Sequence, residues 1–109
     1  MDAAEARDLL LAVPGITEHD HFGKLAYRGL TAKGKPSKIF LTLWVEENRA
    51  VLMLDLEHQA ESHARDPQAF FPVPNKWGDQ GATFAELRKL DPRRFREAVD
   101  LAMKLAGGA

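Results

Sequence analysis

Cysteine is absent from the 109 residues. Disulfides, thiolate metal sites and cysteine nucleophiles are excluded together, and the composition fits the reducing cytoplasm, the location expected for the chain. Serine is nearly as scarce, with Ser37 and Ser62 alone. Ser62 stands four residues after His58, but no orienting acid is evident for a triad and the G-x-S-x-G context is missing. Long apolar runs are lacking too. Leu9 to Val13 is as long as any, far below the roughly 20 residues of a membrane span. Residues 1–20 carry a net charge of −4, so neither a secretory leader nor a membrane partner is expected. Paired carboxylates on one inward face and a Gly-rich dinucleotide fingerprint are also missing. No catalytic residue, cofactor or metal site is assigned from these absences.

What is present is ordinary for a globular chain: 45% hydrophobic residues, 28% charged, and a formal net charge of −1. A chain of this length buries about two-thirds of the surface it exposes when unfolded. No repeat, low-complexity tract or linker divides it. Residues 1–109 are therefore expected to form a single domain.

Helical spacing of Ala6, Leu9, Leu10 and Val13 predicts a first helix over Ala3 to Val13, with Asp2 as N-cap and Pro14-Gly15 as its stop. Lys24 to Leu30 is a short strand. Lys38 to Val45 alternates, with Ile39, Leu41, Leu43 and Val45 on one side and Phe40, Thr42 and Trp44 on the other. Glu46-Glu47-Asn48 turns the chain into a strand over Arg49 to Leu56, which makes an antiparallel hairpin. Both faces of that hairpin are partly apolar, so each is expected to be covered. A second helix fits Glu57 to Arg65, and an irregular loop carrying three aromatics fills 67–81. A fourth strand runs from Ala82 to Leu90. The last helix starts at Asp91-Pro92 and stops at Gly107-Gly108. The order α-β-β-β-α-β-α describes an α+β domain with a four-stranded antiparallel sheet.

Gly29 to Lys35 matches G-x-x-x-x-G-K, the first seven positions of a phosphate-binding loop. The eighth position needs a hydroxyl for magnesium and holds Pro36, and a strand rather than a helix follows. The segment reads as a hairpin turn. The histidines fall in two pairs. His19 and His21 share one side of an extended segment, but two ligands do not make a metal site. His58 and His63 stand roughly 140° apart on a helix and do not converge.

Charge is distributed unevenly. Lys24, Arg28, Lys33, Lys35 and Lys38 occupy a stretch with no acid from His21 to Val45. Arg88, Lys89, Arg93, Arg94 and Arg96 form a second run against Asp91 alone. Such runs supply the point charges that phosphate contacts need. Lys76 and Trp77 lie together in the 67–81 loop, and Trp44 and Tyr27 lie on strands. Aromatics among lysines can stack on bases.

The chain resembles the MmcQ/YjbR family. The resemblance rests on His21-Phe22-Gly23, Lys38-Ile39-Phe40-Leu41-Thr42-Leu43 and Ala50-Val51-Leu52. It continues through Asp66-Pro67, Phe71-Pro72-Val73-Pro74, Trp77-Gly78 and Gly81-Ala82-Thr83, then Leu87, Asp91, Ala98 and Ala102, and so covers nearly the whole chain. It implies a small α+β domain with an antiparallel sheet. For the family a DNA-binding role through a double-wing arrangement is suggested, and no enzymatic activity is established. Ala82 departs from the pattern, because family members usually carry tryptophan after that glycine.

These readings give a non-enzymatic domain that binds DNA through Lys24, Arg28, Lys33, Lys35, Lys38, Lys76 and Trp77. The alternatives are a small-molecule binder or enzyme using a pocket at the Trp77-Gly78 loop with His21 and Phe22, and a protein-interaction module of unknown partner. Because the Gly29 to Lys35 segment reads as a turn, titration with ATP or GTP and magnesium should give no calorimetric signal. A magnesium-dependent micromolar Kd would refute that reading.

Overall fold

The structure is a computed structural model that describes residues 1–107. Asp2 caps the first helix, α1 (Ala3–Leu11), by accepting from the Glu5 amide at 2.9 Å, and α1 buries Ala3, Ala6 and Leu10. Three strands follow: β1 (Thr17–His21), β2 (Lys24–Leu30) and β3 (Pro36–Trp44). A turn closed by Asn48 N–H donating to the Val45 carbonyl leads into β4 (Arg49–Met53). The expected β3–β4 hairpin is present, with Trp44 facing Arg49 and Leu41 facing Leu52. Next come α2 (Leu56–Arg65), β5 (Phe70–Pro72), α3 (Lys76–Asp79) and β6 (Ala82–Glu86). One turn of 3-10 helix (Leu87–Lys89) precedes α4 (Pro92–Leu105).

All pairings are antiparallel, in the order β1-β2-β3-β4-β6-β5. The α+β class is as expected, but the sheet has six strands instead of four. The two extra strands are the edges. β1 reads Thr-Glu-His-Asp-His and offers no apolar alternation. β5 is three residues long and ends in proline, which an edge strand tolerates. Both are made by pairing with a neighbour, not by their own pattern. The segment 67–81 is therefore ordered as β5 and α3 and is not an irregular loop. The predicted strand from Ala82 to Leu90 stops at Glu86. Leu87 and Leu90 then turn inward at the three-residue spacing of a 3-10 turn.

α1 and α4 lie on one face, with α2 beside α4 and against β5. Leu10, Tyr27, Phe40, Leu41, Leu43, Leu52, Leu87, Phe95 and Val99 form the main core between them and the sheet. α4 is capped by Asp91 and carries Pro92 in its first turn, as predicted. Its expected stop includes Gly107, at φ +90°, and Gly108, which lies outside the described residues. The opposite face has its own cluster: Val51, Val73, Ala82 and Phe84 beneath Trp44, Met53 and Phe71. No residue of α1, α2 or α4 belongs to it. The expectation that each face is covered by another element holds for the helical face only. No helix among the described residues is long and apolar enough to cross a membrane.

Tyr27 is 0% exposed on the helical face, so it is not available for stacking. Its hydroxyl donates to Glu18 Oε2 at 2.7 Å. Arg7 of α1 grips the same carboxylate with Nε and Nη2, both at 2.8 Å. The Arg7 hydrogen bond, opposed by partial burial and aided by the tyrosine, holds the Glu18 carboxyl down at about 2. Burial first, then the bond to Glu18, push the Tyr27 hydroxyl up.

A carboxyl depressed in the folded state stabilises the fold above its unfolded pKa, and the gain fades as pH falls through the folded value. For Glu18 that window runs from about 4.5 down to about 2. Urea midpoints should fall across it in the wild type and change less in Glu18→Gln. Tyr27→Phe should lose roughly 1.5 to 3 kcal/mol at neutral pH, the range for a hydrogen bond to a charged group.

Candidate nucleic-acid interface

The β2–β3 turn spans Thr31 to Lys35. Thr31 N–H donates to the Lys35 carbonyl at 2.7 Å, Gly34 N–H to the Thr31 carbonyl at 2.9 Å, and Lys35 N–H to Thr31 Oγ1 at 3.2 Å. Gly34 takes φ +77°, which a side chain would resist. The segment is a hairpin turn, as read from its sequence, and β3 follows it directly.

Lys33, Lys35 and Lys38 are exposed, and none has an acidic partner among the described residues. The base of the turn is well anchored. Arg28 Nη1 donates to the Ser37 carbonyl at 2.9 Å, and buried Ser37 Oγ accepts from the Gly29 amide at 3.0 Å. Met103 of α4 packs beside Gly29, which brings the end of α4 with exposed Lys104 to this end of the sheet.

Lys24 does not join this group. It lies at the other end of seven-residue β2, roughly 20 Å from the turn. There it pairs with Glu47 at 3.7 Å and sits 4.4 Å above the Trp44 ring. The second basic run is also at that far end, since Leu87 N–H donates to the Asn48 carbonyl in the β3–β4 turn at 3.2 Å. Its arginines are largely engaged: Arg93 with Glu97, Arg96 with Asp100, and Arg94 with Asp66. Arg88 and Lys89 are exposed without such partners among the described residues. The two basic runs thus occupy opposite ends of the sheet.

Trp77 is 66% exposed on α3, next to exposed Lys76. α3 is capped by Asn75, whose side chain accepts from the Trp77 amide at 2.9 Å. A Cβ on Gly78 would stand 1.6 Å from the Val73 carbonyl oxygen, so only glycine fits there. Lys76 and Trp77 share the lysine-turn end of the sheet but stand beside β6, two strands away from β3.

His21 and Phe22 are at the β1–β2 turn, at the end opposite Trp77. The three proposed pocket residues are not brought together. One cavity of about 290 Å³ lies below the β1–β2 turn between Lys24, Val45 and Glu47, and another of about 260 Å³ lies between α2 and α4 beside Arg65 and Arg94. Neither includes His21, Phe22 or Trp77.

His58 and His63 are each held by a neighbouring group. His58 Nδ1 lies 2.6 Å from the Asp55 carboxylate that caps α2; this bond raises the imidazole pKa, while the His58 amide and ring together lower the carboxyl. His63 Nδ1 lies 2.7 Å from the Phe70 carbonyl. No metal-binding cluster of three or more ligands occurs among the described residues.

The face without helices sets Trp44, already noted from the sequence, beside groups that the sequence reading passed over. Register places Trp44, Arg49 and Glu86 in one row and Val51, Phe84 and Phe71 in the next. The Trp44 and Phe84 rings meet edge-on at 5.4 Å, and Phe71 meets Phe84 at 5.7 Å. The Arg49 guanidinium lies 5.0 Å over Phe84 and 5.5 Å over Phe71, held by Glu86 Oε2 at 2.9 Å from its Nε. Trp44 is half-buried here instead of lying in the main core. Phe71 and Phe84 come from segments that the sequence does not mark as neighbours.

No family model, no curated protein and no solved structure matches the chain.

Phe22 and Gly23 form a two-residue turn with φ +52° and +82°. Turns of this primed type favour Asn-Gly, and a bulky side chain at positive φ costs roughly 1 kcal/mol. Phe22 is 94% exposed, so it returns almost no burial energy. Phe22→Asn should therefore raise stability by about 1 kcal/mol, read as an upward shift in Tm.

Proposed function

We propose that the chain is a nucleic-acid-binding domain whose β2–β3 hairpin acts as a basic wing. The observation that carries this reading is the set Lys33, Lys35 and Lys38: exposed and acid-free in their surroundings along the chain, the first two held out on a hydrogen-bonded turn and the third near the start of β3. Lys104 extends the same positive corner, and Arg28 stiffens its base. Phosphate contacts of this kind need cations and no base recognition. The resemblance to the MmcQ/YjbR family, with its suggested double-wing DNA-binding role, supports the same reading. With a formal net charge of −1, binding is local to this corner and does not depend on a global positive field. The engaged arginines of α4 are left out of the interface.

Each lost phosphate contact lowers the slope of log affinity against log salt by about 0.9 on duplex DNA. Lys33→Ala/Lys35→Ala should flatten that slope by nearly two units and leave Tm unchanged, because both side chains are exposed. Fluorescence anisotropy with labelled duplex and single strands across a salt series provides the measurement. Absence of binding at about 50 mM salt, or an unchanged slope in the double variant, would refute recognition by this turn.

A further inference from the structure

Beyond the lysine turn, the face of the sheet away from α1 and α4 carries a row of aromatic rings. Trp44 and Phe71 are half-buried there, supported from beneath by Phe84, Val51 and Ala82. Two cations lie over this aromatic row: Lys24 at 4.4 Å from the Trp44 centroid and Arg49 between Phe71 and Phe84. Strand alternation puts Lys24, Ala26 and Arg28 on this same face of β2, with His19 and His21 beside them on β1. Glu86 is the acid in the aromatic row, and it is occupied in fixing Arg49. Glu47, which pairs with Lys24, sits off the face in the β3–β4 turn.

The placement is continuous with the lysine turn. Arg28 stands at the base of that turn, and Lys24 stands at the far end of the same strand against Trp44. A chain laid along β2 would pass from Lys33 and Lys35 over Arg28 to Lys24; turning there across the strands, its flat groups would meet Trp44 on β3 and then Phe71 on β5, three strands further on. Duplex DNA hides its ring faces inside the stack. A single strand offers both phosphates and free ring faces, and aromatic platforms lined with cations hold it by stacking.

We infer that this face binds single-stranded nucleic acid by stacking unpaired bases on Trp44 and Phe71 while Lys24, Arg28 and Arg49 meet the backbone. The inference rests on the lysine-turn reading and names its substrate class.

The test uses a labelled deoxythymidine dodecamer and a duplex of equal length at about 50 mM salt. In a Trp77→Phe background Trp44 is the only tryptophan, and Trp77 is exposed enough to replace safely. Trp44 emission should be quenched by the dodecamer and not by the duplex. Phe71→Leu should weaken dodecamer binding about 5- to 150-fold, the range for one lost stacking partner, with less than a twofold change for the duplex. Lys33→Ala/Lys35→Ala should weaken both ligands. Unquenched Trp44 with both ligands bound equally overturns the stacking inference and leaves the lysine turn standing. Binding of neither ligand overturns both. The Trp44 signal is read on an unaltered sheet face, so the result does not depend on Phe71→Leu folding normally.

Discussion

A tyrosine hydroxyl buried in the main core must keep a hydrogen bond, and it donates to a carboxylate from the edge of the sheet. Glu18 meets that need, and Arg7 then reaches across from α1 to neutralise it. The consequences extend beyond the three residues. β1 has no apolar side chain of its own to anchor it. The paired charges at Glu18 supplement its backbone ladder with β2 and tie it to α1. His19, His21 and the Phe22 tip are therefore held by the backbone ladder together with this polar contact and not by hydrophobic burial.

From that edge the rest of the architecture follows as a one-sided sandwich. α1 and α4 bury the strand residues that face them, and α2 closes over β5. This leaves the second face to be protected by its own side chains. Trp44 lies against Thr42, donating from Nε1 to Oγ1 at 3.2 Å, and Arg49 lies over the phenylalanines. Large amphipathic side chains can shield apolar surface and still present polar groups to water. The same feature that makes this face stable without helices makes it chemically addressable.

Much of this could be read from the sequence where periodicity or capping chemistry was strong. The α1 and α4 caps at Asp2 and Asp91 and the β3–β4 hairpin follow from local rules, and so does the turn at Gly34. β1 and β5 were hidden because edge strands draw their order from a partner. Asp55 lay inside a predicted strand, although it caps α2 by accepting from the His58 amide. The basic residues were identifiable one by one, but their grouping was not. Lys24 and Lys35 are close in sequence and separated by the length of a strand, whereas Met103 and Gly29 are distant in sequence and adjacent in space. The aromatic row needs three strands whose pairing order departs from chain order, with β6 inserted between β4 and β5. Alternation within a single strand carries no trace of that.

The two sheet edges also limit how other molecules can approach. β5 is short and ends at Pro72, which has no amide to donate. β1 presents Glu18, Asp20 and two histidines along its length. Charges and prolines at an edge discourage another chain from adding a strand, which guards against open-ended polymerisation. Recruitment by strand addition, a common route to peptide capture, is thereby disfavoured at both edges of the sheet. A partner must come instead to the flat face or to the turns, where side chains rather than backbone groups determine what is accepted.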